Sequence, residues 1–300
     1  MPRVTIIVPT FNRPVFVQST VRQLLDQSYR DVELWVIDQS GPEAATSNRA
    51  FVAACGDERL QYVHLTRAGL PNARNVGLAR ARGEIVVFTD DDVILLSPDF
   101  IEAHVRCFDD PRVGGVVGRH LERFIGENSR KTACHVDWSG RTIFNLRGTE
   151  RQEIGSCKGS NMSFRMSAIA EIGGFDRRTH LLEDTDFSVR IAKAGWKLVF
   201  EPAAEVVHLS APAGGVRAAP GLATEAQRFR STAYFVAKHR GLPGLLGFGL
   251  GFSAIALVRA VRFRSVGTLP VLARAAWDGY QEARLVPDQA IESPAVAQPV

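Results

Sequence analysis

The four cysteines, Cys55, Cys107, Cys134 and Cys157, stand far apart, and no two share the C-x-x-C spacing of a zinc or redox motif. No secretory leader is expected ahead of the first apolar run. The thiols therefore support no disulfide framework and point to a reducing compartment. No internal repeat is present. Between Val4 and Arg13 there is no glycine, so the first strand-to-helix junction lacks the Gly-rich phosphate loop that a nucleotidyltransferase usually presents early in its chain. Long uncharged runs are scarce. Leu242 to Val258 stands out, with seventeen residues and no charge.

What is present is an ordinary soluble composition, 45% hydrophobic and 23% charged, in 300 residues. That length suits one large α/β domain with an appendage. The formal charge of +4 conceals an asymmetry. Between Arg217 and Arg284 ten Lys/Arg face only Glu225, Asp278 and Glu282, which gives +7 there and −3 elsewhere. A basic C-terminal segment on a mildly acidic body suggests an anionic membrane surface as partner, and no nucleic acid.

Short apolar runs at Val4–Val8, Val32–Ile37, Leu60–His64 and Ile85–Thr89 alternate with helices starting near Pro14, Glu43 and Leu70. The alternation predicts an α/β fold with a Rossmann-like, mostly parallel sheet flanked by helices. Ligands of such sheets bind beyond the carboxyl ends of the strands. Those ends carry Thr10 to Arg13, Asp38 and Asp90-Asp91-Asp92. Three adjacent acids repel one another and cannot be buried unpaired; a hard cation, Mn²⁺ or Mg²⁺, resolves the conflict. On an extended segment Asp90 and Asp92 face one way and Asp91 the other. An acidic turn capping the helix after Ser97-Pro98 fits the same residues.

The stretch Arg119 to Cys157 is irregular and bears Trp138; an acceptor-binding loop and a surface elaboration fit it equally. Glu183-Asp184-Thr185-Asp186 opens a helix to about Ala194. Acids suit a first helical turn, but three in four residues exceed what capping needs, and one facing a cleft is well placed as a general base. Two short strands, Lys197–Phe200 and Glu205–Val207, lead to His208, whose imidazole can complete a metal shell.

Taken together these residues resemble the inverting family 2 glycosyltransferases of the glycosyltransferase-A fold. The matching motifs run in the family's order over roughly Val4 to Ser210: VTIIVPTFNR (Val4–Arg13), VIDQS (Val36–Ser40), ARNVG (Ala73–Gly77), GEIVVFTDDD (Gly83–Asp92), GGFD (Gly173–Asp176) and EDTDFSVR (Glu183–Arg190), then a strand ending at His208. The resemblance implies that Pro9, Thr10, Arg13, Asp38, Arg74, Asp90 and Asp91 line the nucleotide-sugar pocket. It makes Asp90 and Asp92 the D-x-D pair at the metal, with His208 as a further ligand, and Asp184 the base. Trp138, Asn161 and Glu183 are the acceptor-side candidates. Processive members carry Gln-x-x-Arg-Trp; here Gln227-Arg228-Phe229-Arg230-Ser231 lacks the Trp, which argues for a single transfer.

Leu242 to Val258 as a helix spans roughly 25 Å, short of the ~30 Å hydrocarbon core. Four glycines and Pro243 weaken it further. Lys238 and Arg240 before it, with Arg259, Arg262 and Arg264 after it, fit an in-plane or re-entrant segment on anionic headgroups better than a span; a buried helical hairpin is the alternative. The expected domains are a catalytic unit over 1–215 (nucleotide-sugar half 1–118, acceptor half 119–215), a helical membrane-associating region over 216–286 and a disordered tail over 287–300. The expected activity is metal-dependent inverting transfer of one sugar from a UDP-, GDP- or dTDP-linked donor to a glycan or lipid-linked acceptor, at the cytoplasmic face of the cell membrane. The rivals are a nucleotidyltransferase and a non-catalytic sugar-nucleotide or membrane-binding module.

Overall fold

A computed structural model describes residues 3–122, 133–179, 181–211, 221–263 and 265–285. The expected tail, 287–300, lies outside the described residues. The chain begins β1 (Val4–Thr10), α1 (Pro14–Leu25), β2 (Val32–Asp38), α2 (Pro42–Cys55), β3 (Leu60–His64), α3 (Leu70–Leu78) and β4 (Ile85–Thr89). Each of these three helices has a proline in its first turn, where the missing N–H costs nothing. All seven residues of β1 are buried, as a strand covered on both faces requires.

Next come β5 (Val93–Leu95), α4 (Phe100–Cys107), β6 (Val113–Glu122), β7 (Ala133–Val136), β8 (Thr142–Asn145), β9 (Gln152–Glu153), β10 (Asn161–Arg165), α5 (Met166–Ile172), α6 (Glu183–Lys193) and β11 (Lys197–His208). The main sheet runs β3-β2-β1-β4-β10-β6-β11-β5, with β9 also on β11. Strands β3, β2, β1 and β4 are parallel to one another, as the alternation predicts. β10 inserts antiparallel to both β4 and β6, and β5 and β9 pair antiparallel with β11. The two short strands expected before His208 form one strand, its register shifting between Glu201 and Glu205. Pro202, which has no N–H to donate, falls in that shift.

Because β6 and β11 are parallel to each other and antiparallel to β10, β11 ends at the same sheet edge as β1, β2 and β4. One core fills the face under α1 and α4. The other lies under α3, α5 and α6, where Phe175 and Phe187 stack at 4.0 Å and Phe88 meets Phe175 edge-on at 5.2 Å.

The last described elements are α7 (Leu222–Arg262) and α8 (Thr268–Leu285). α7 breaks at Gly241 (φ 60°, ψ −150°), two residues before Pro243, and only glycine adopts that backbone without strain. Phe229, Phe248, Phe252 and Leu272 give the two helices a core of their own.

Candidate active site

β4 ends at Thr89, so Asp90 leaves the sheet where its edge meets the start of β10; the Asp90 amide donates to the Ser160 carbonyl (3.4 Å). Asp92 Oδ2 accepts from the Ala211 amide (2.8 Å) and from Arg13 Nη1 (3.1 Å). Its Oδ1 is buried with no hydrogen-bond partner, and His208 Nε2 lies 3.2 Å from it at the end of β11. The same nitrogen is 3.6 Å from Asp90 Oδ2, and His208 Nδ1 faces Ser210 Oγ at 3.2 Å. One ligand atom from each of Asp90, Asp92 and His208 falls within 4.8 Å of the others. Burial opposes ionisation of Asp92, but His208, the Ala211 amide and Arg13 outweigh it and pull the carboxyl down to about 2. A buried carboxylate with one uncommitted oxygen, a neighbouring acid and an imidazole is a donor set that fits a divalent cation.

Across an open cavity of about 230 Å³ stands the N-terminus of α6. Asp184 Oδ2 accepts from the Gly159 amide (2.8 Å), and Oδ1 from the Thr185 amide (2.6 Å). The neighbouring Glu183 accepts from Arg74 Nη1 at 2.9 Å. Burial, followed by the Asp184 carboxylate, pushes the Glu183 carboxyl up, and Arg74 opposes that shift. Arg74 is itself buried, packs over the Phe175 ring and lies 3.7 Å from Asp90 Oδ1. One guanidinium thus spans the gap between the acids of β4 and those of α6.

The description "Glycosyl transferase family 2" fits residues 5–173, more than half of the chain. The protein belongs to glycosyltransferase family 2. It is similar to the pre-mycofactocin glycosyltransferase of Mycobacterium tuberculosis, 32% identical over 209 residues that make up 68% of this chain and 42% of that protein. It is also similar to the GalNAc(5)-diNAcBac-PP-undecaprenol beta-1,3-glucosyltransferase of Campylobacter jejuni, 34% identical over 98 residues, 32% of each chain. The chain thus spans less than half the length of these curated relatives. Among solved structures, a mannosyltransferase from Pyrobaculum calidifontis in complex with GDP-Man and Mn²⁺ superimposes with a TM-score of 0.58 at 21% identity, covering 96% of this chain and 78% of that one. The fold is the glycosyltransferase-A fold.

In this family 2 chain the cavity gathers Pro9, Thr10, Arg13, Arg74, Asp90, Asp91, Asp92, Glu183, Asp184 and His208. Several of them are committed to internal bonds. Asp91 accepts from Thr10 Oγ1 (2.7 Å) and Arg13 Nη1 (3.2 Å), and burial raises its carboxyl to about 6. Arg13 also donates to the Ala211 carbonyl (2.9 Å), which makes it a buried strut between strand ends.

Three expected site residues lie elsewhere. Asp38 is fully enclosed by the Ser40 amide (2.8 Å), Asn48 (2.8 Å) and the Tyr62 hydroxyl (2.9 Å); its neighbour Gln39 reaches the cavity instead. Asn161 is a core residue, its side chain spent on His104 (2.8 Å) and the Ala204 carbonyl (2.9 Å), so it offers no surface to an acceptor. Trp138, at the β7–β8 turn, is 64% exposed and covers Gly247 of α7, outside the cavity. Lys158, Gly159 and Ser160 line the cavity and were not foreseen. Their signal was the run CKGS before β10, legible only once β10 is known to run against β4.

Proposed function

We propose that this protein is a metal-dependent inverting glycosyltransferase that moves a single sugar from a nucleotide sugar to a glycan or lipid-linked acceptor. The reading is carried by one observation: the Asp90–Asp92–His208 cluster and the Asp184 carboxylate face each other across a single cavity. Asp90, Asp92 and His208 would hold the cation, Mn²⁺ or Mg²⁺, with the imidazole favouring the softer Mn²⁺. Such an ion, when bound, stabilises charge on a departing nucleoside diphosphate. Asp184 would take the proton of the acceptor hydroxyl, its carboxylate held by the Gly159 and Thr185 amides. One base and one displacement invert the anomeric centre, with no carboxylate nucleophile required. Pro9 and Thr10 at the end of β1, with Gln39, would border the nucleotide.

The GDP-Man and Mn²⁺ of the Pyrobaculum mannosyltransferase support a nucleotide-sugar donor with Mn²⁺. The undecaprenol-linked substrate named for the Campylobacter relative supports a lipid-linked acceptor. With an acceptor of that kind the enzyme would work peripherally at the inner face of the cell membrane. To test the reading, purified protein with Mn²⁺ is incubated with UDP-, GDP- and dTDP-sugars. The expected product is free nucleoside diphosphate, from one donor class above the others and only with a divalent ion. A parallel incubation with nucleoside triphosphate and sugar 1-phosphate tests the rival: pyrophosphate release there, with no diphosphate from any nucleotide sugar, would identify a nucleotidyltransferase and overturn the reading.

A further inference from the structure

Helix α6, which carries Asp184 in its first turn, is gripped by a helix outside the stretch matched to the family. Lys238 of α7 places Nζ 2.8 Å from Asp186 Oδ1 and 2.9 Å from Asp176 Oδ2, with its side chain only 5% exposed. The adjacent His239 donates from Nε2 to Asp186 Oδ1 (2.8 Å) and accepts at Nδ1 from Lys193 Nζ (3.1 Å). Two consecutive residues of α7 therefore hold the first and the last turn of α6. The two acids have further partners, two arginines from their own neighbourhood and one more residue of α7. Arg190 donates to Asp186 Oδ2 (2.9 Å), Arg178 donates to Asp176 Oδ1 (2.9 Å), and the Tyr234 hydroxyl donates to Asp176 Oδ2 (2.5 Å). Burial would raise both carboxyls, but these bonds and cations reverse it and hold both well below the usual carboxylate range.

We propose that Lys238, assisted by His239, is a positioning residue for transfer: it fixes α6 against the Gly173–Asp176 turn and so sets where the Asp184 carboxylate stands in the cavity. The inference rests on Asp184 being the base. The physical ground is that one ammonium bridges two buried carboxylates. Without it, Asp176 and Asp186 keep their arginines but repel each other across the gap that Lys238 closed. The repulsion acts on the first turn of α6, two residues from Asp184, and a helix passes such a displacement along as a nearly rigid body. A reacting group misplaced by about 1 Å costs up to ~10²-fold in rate. The metal cluster stands on the segment after β4 and at the end of β11, away from Lys238, and meets α6 through Arg74, which bonds Glu183 and lies 3.7 Å from Asp90, so donor binding is expected to change far less than turnover.

The experiment uses the full chain with Mn²⁺ and the donor found active. Lys238→Met is expected to lower kcat at least about tenfold while Mn²⁺-dependent nucleotide affinity stays within about twofold, and Lys238→Arg to restore most of the turnover. In an Asp184→Asn background, Lys238→Met should cause no further loss, because both act on the same step. If Asp184→Asn keeps wild-type turnover, the base reading falls and this inference with it. If Asp184→Asn is inactive while Lys238→Met turns over normally, the clamp alone is overturned. Equal loss of nucleotide affinity and turnover in Lys238→Met would mark general damage to the fold and also overturn it. Should Lys238→Met fail to fold, His239→Ala substitutes: a several-fold drop in kcat at constant nucleotide affinity supports the clamp, and wild-type kcat refutes it.

Discussion

Asp90, Asp91 and Asp92 share one backbone segment yet meet three environments. Asp90 is partly open to the cavity, Asp91 turns into the protein onto Thr10 and Arg13, and Asp92 is buried with one oxygen left over. An uncommitted buried oxygen beside His208 gains most from a cation, so Asp92→Asn should weaken Mn²⁺-dependent nucleotide binding at least about tenfold. Binding measured without Mn²⁺ should change little. Isothermal titration with and without the ion checks this, and equal affinity of variant and wild type in Mn²⁺ would remove the metal site. The split among the three acids was legible in the sequence because alternation along an extended segment is a local rule. His208 and Asp184 were legible for a similar reason, each standing at the end or start of an element that patterning identifies. Asp38, Asn161 and Trp138 were not, since what encloses them comes from distant segments: Tyr62 and Asn48 around Asp38, His104 against Asn161, Gly247 beneath Trp138.

At the level of elements, the glycines of α7 show how composition can mislead. In the sequence they weaken an apolar segment. In the fold, Gly247 and Gly251 form the inner face of the helix after the Gly241 break. A Cβ at Gly247 would come within 2.6 Å of the Trp138 ring, and one at Gly251 within 3.0 Å of Ser139. The β7–β8 hairpin therefore sits in a groove made by missing side chains. It is also tied to the helix before the break, where Arg240 donates to the Val136 carbonyl (2.8 Å) and to that of Asp137. A Cβ at Gly249, by contrast, would meet nothing within 4 Å. Gly247→Val should thus destabilise by about 1–3 kcal/mol through overpacking, whereas Gly249→Ala should stabilise by roughly 0.5–1 kcal/mol through helix propensity. Urea denaturation of the two variants separates these signs; equal effects would mean that Trp138 does not seat on Gly247. None of this pairing was readable in advance, because the hairpin falls in the least patterned part of the chain.

For the whole molecule, the question is how a catalytic body with a basic, apolar C-terminal region would meet the proposed lipid-linked acceptor. Leu246, Leu250, Leu257, Val258 and Val261 are 60–74% exposed on α7. The opposite face is held by Trp138 and by Phe229, whose ring meets Phe252 edge-on at 5.1 Å. Crossing a bilayer would strip that packing away. The segment Pro243–Arg262 is long and apolar enough to span by length and composition, but under the proposed membrane association its attachments would suit lying in the interface with the leucines down. The basic flanks also differ from their reading in the sequence. Lys238 and Arg240 point inward to Asp176, Asp186 and the hairpin, and Arg259 pairs with Glu225 (2.9 Å), while Arg262 stays exposed beside the stripe. Apolar burial should therefore contribute more to the proposed membrane binding than charge does. Replacing both Leu246 and Leu250 with Glu forgoes about 1.5–3 kcal/mol of burial per leucine and should reduce partitioning onto vesicles of anionic and zwitterionic phospholipid at least about tenfold. Raising salt on the wild type should release it only in part. Carbonate washing should extract the wild-type protein, as it does not extract a spanning helix. Unchanged pelleting of the double variant would place the membrane contact elsewhere on the molecule.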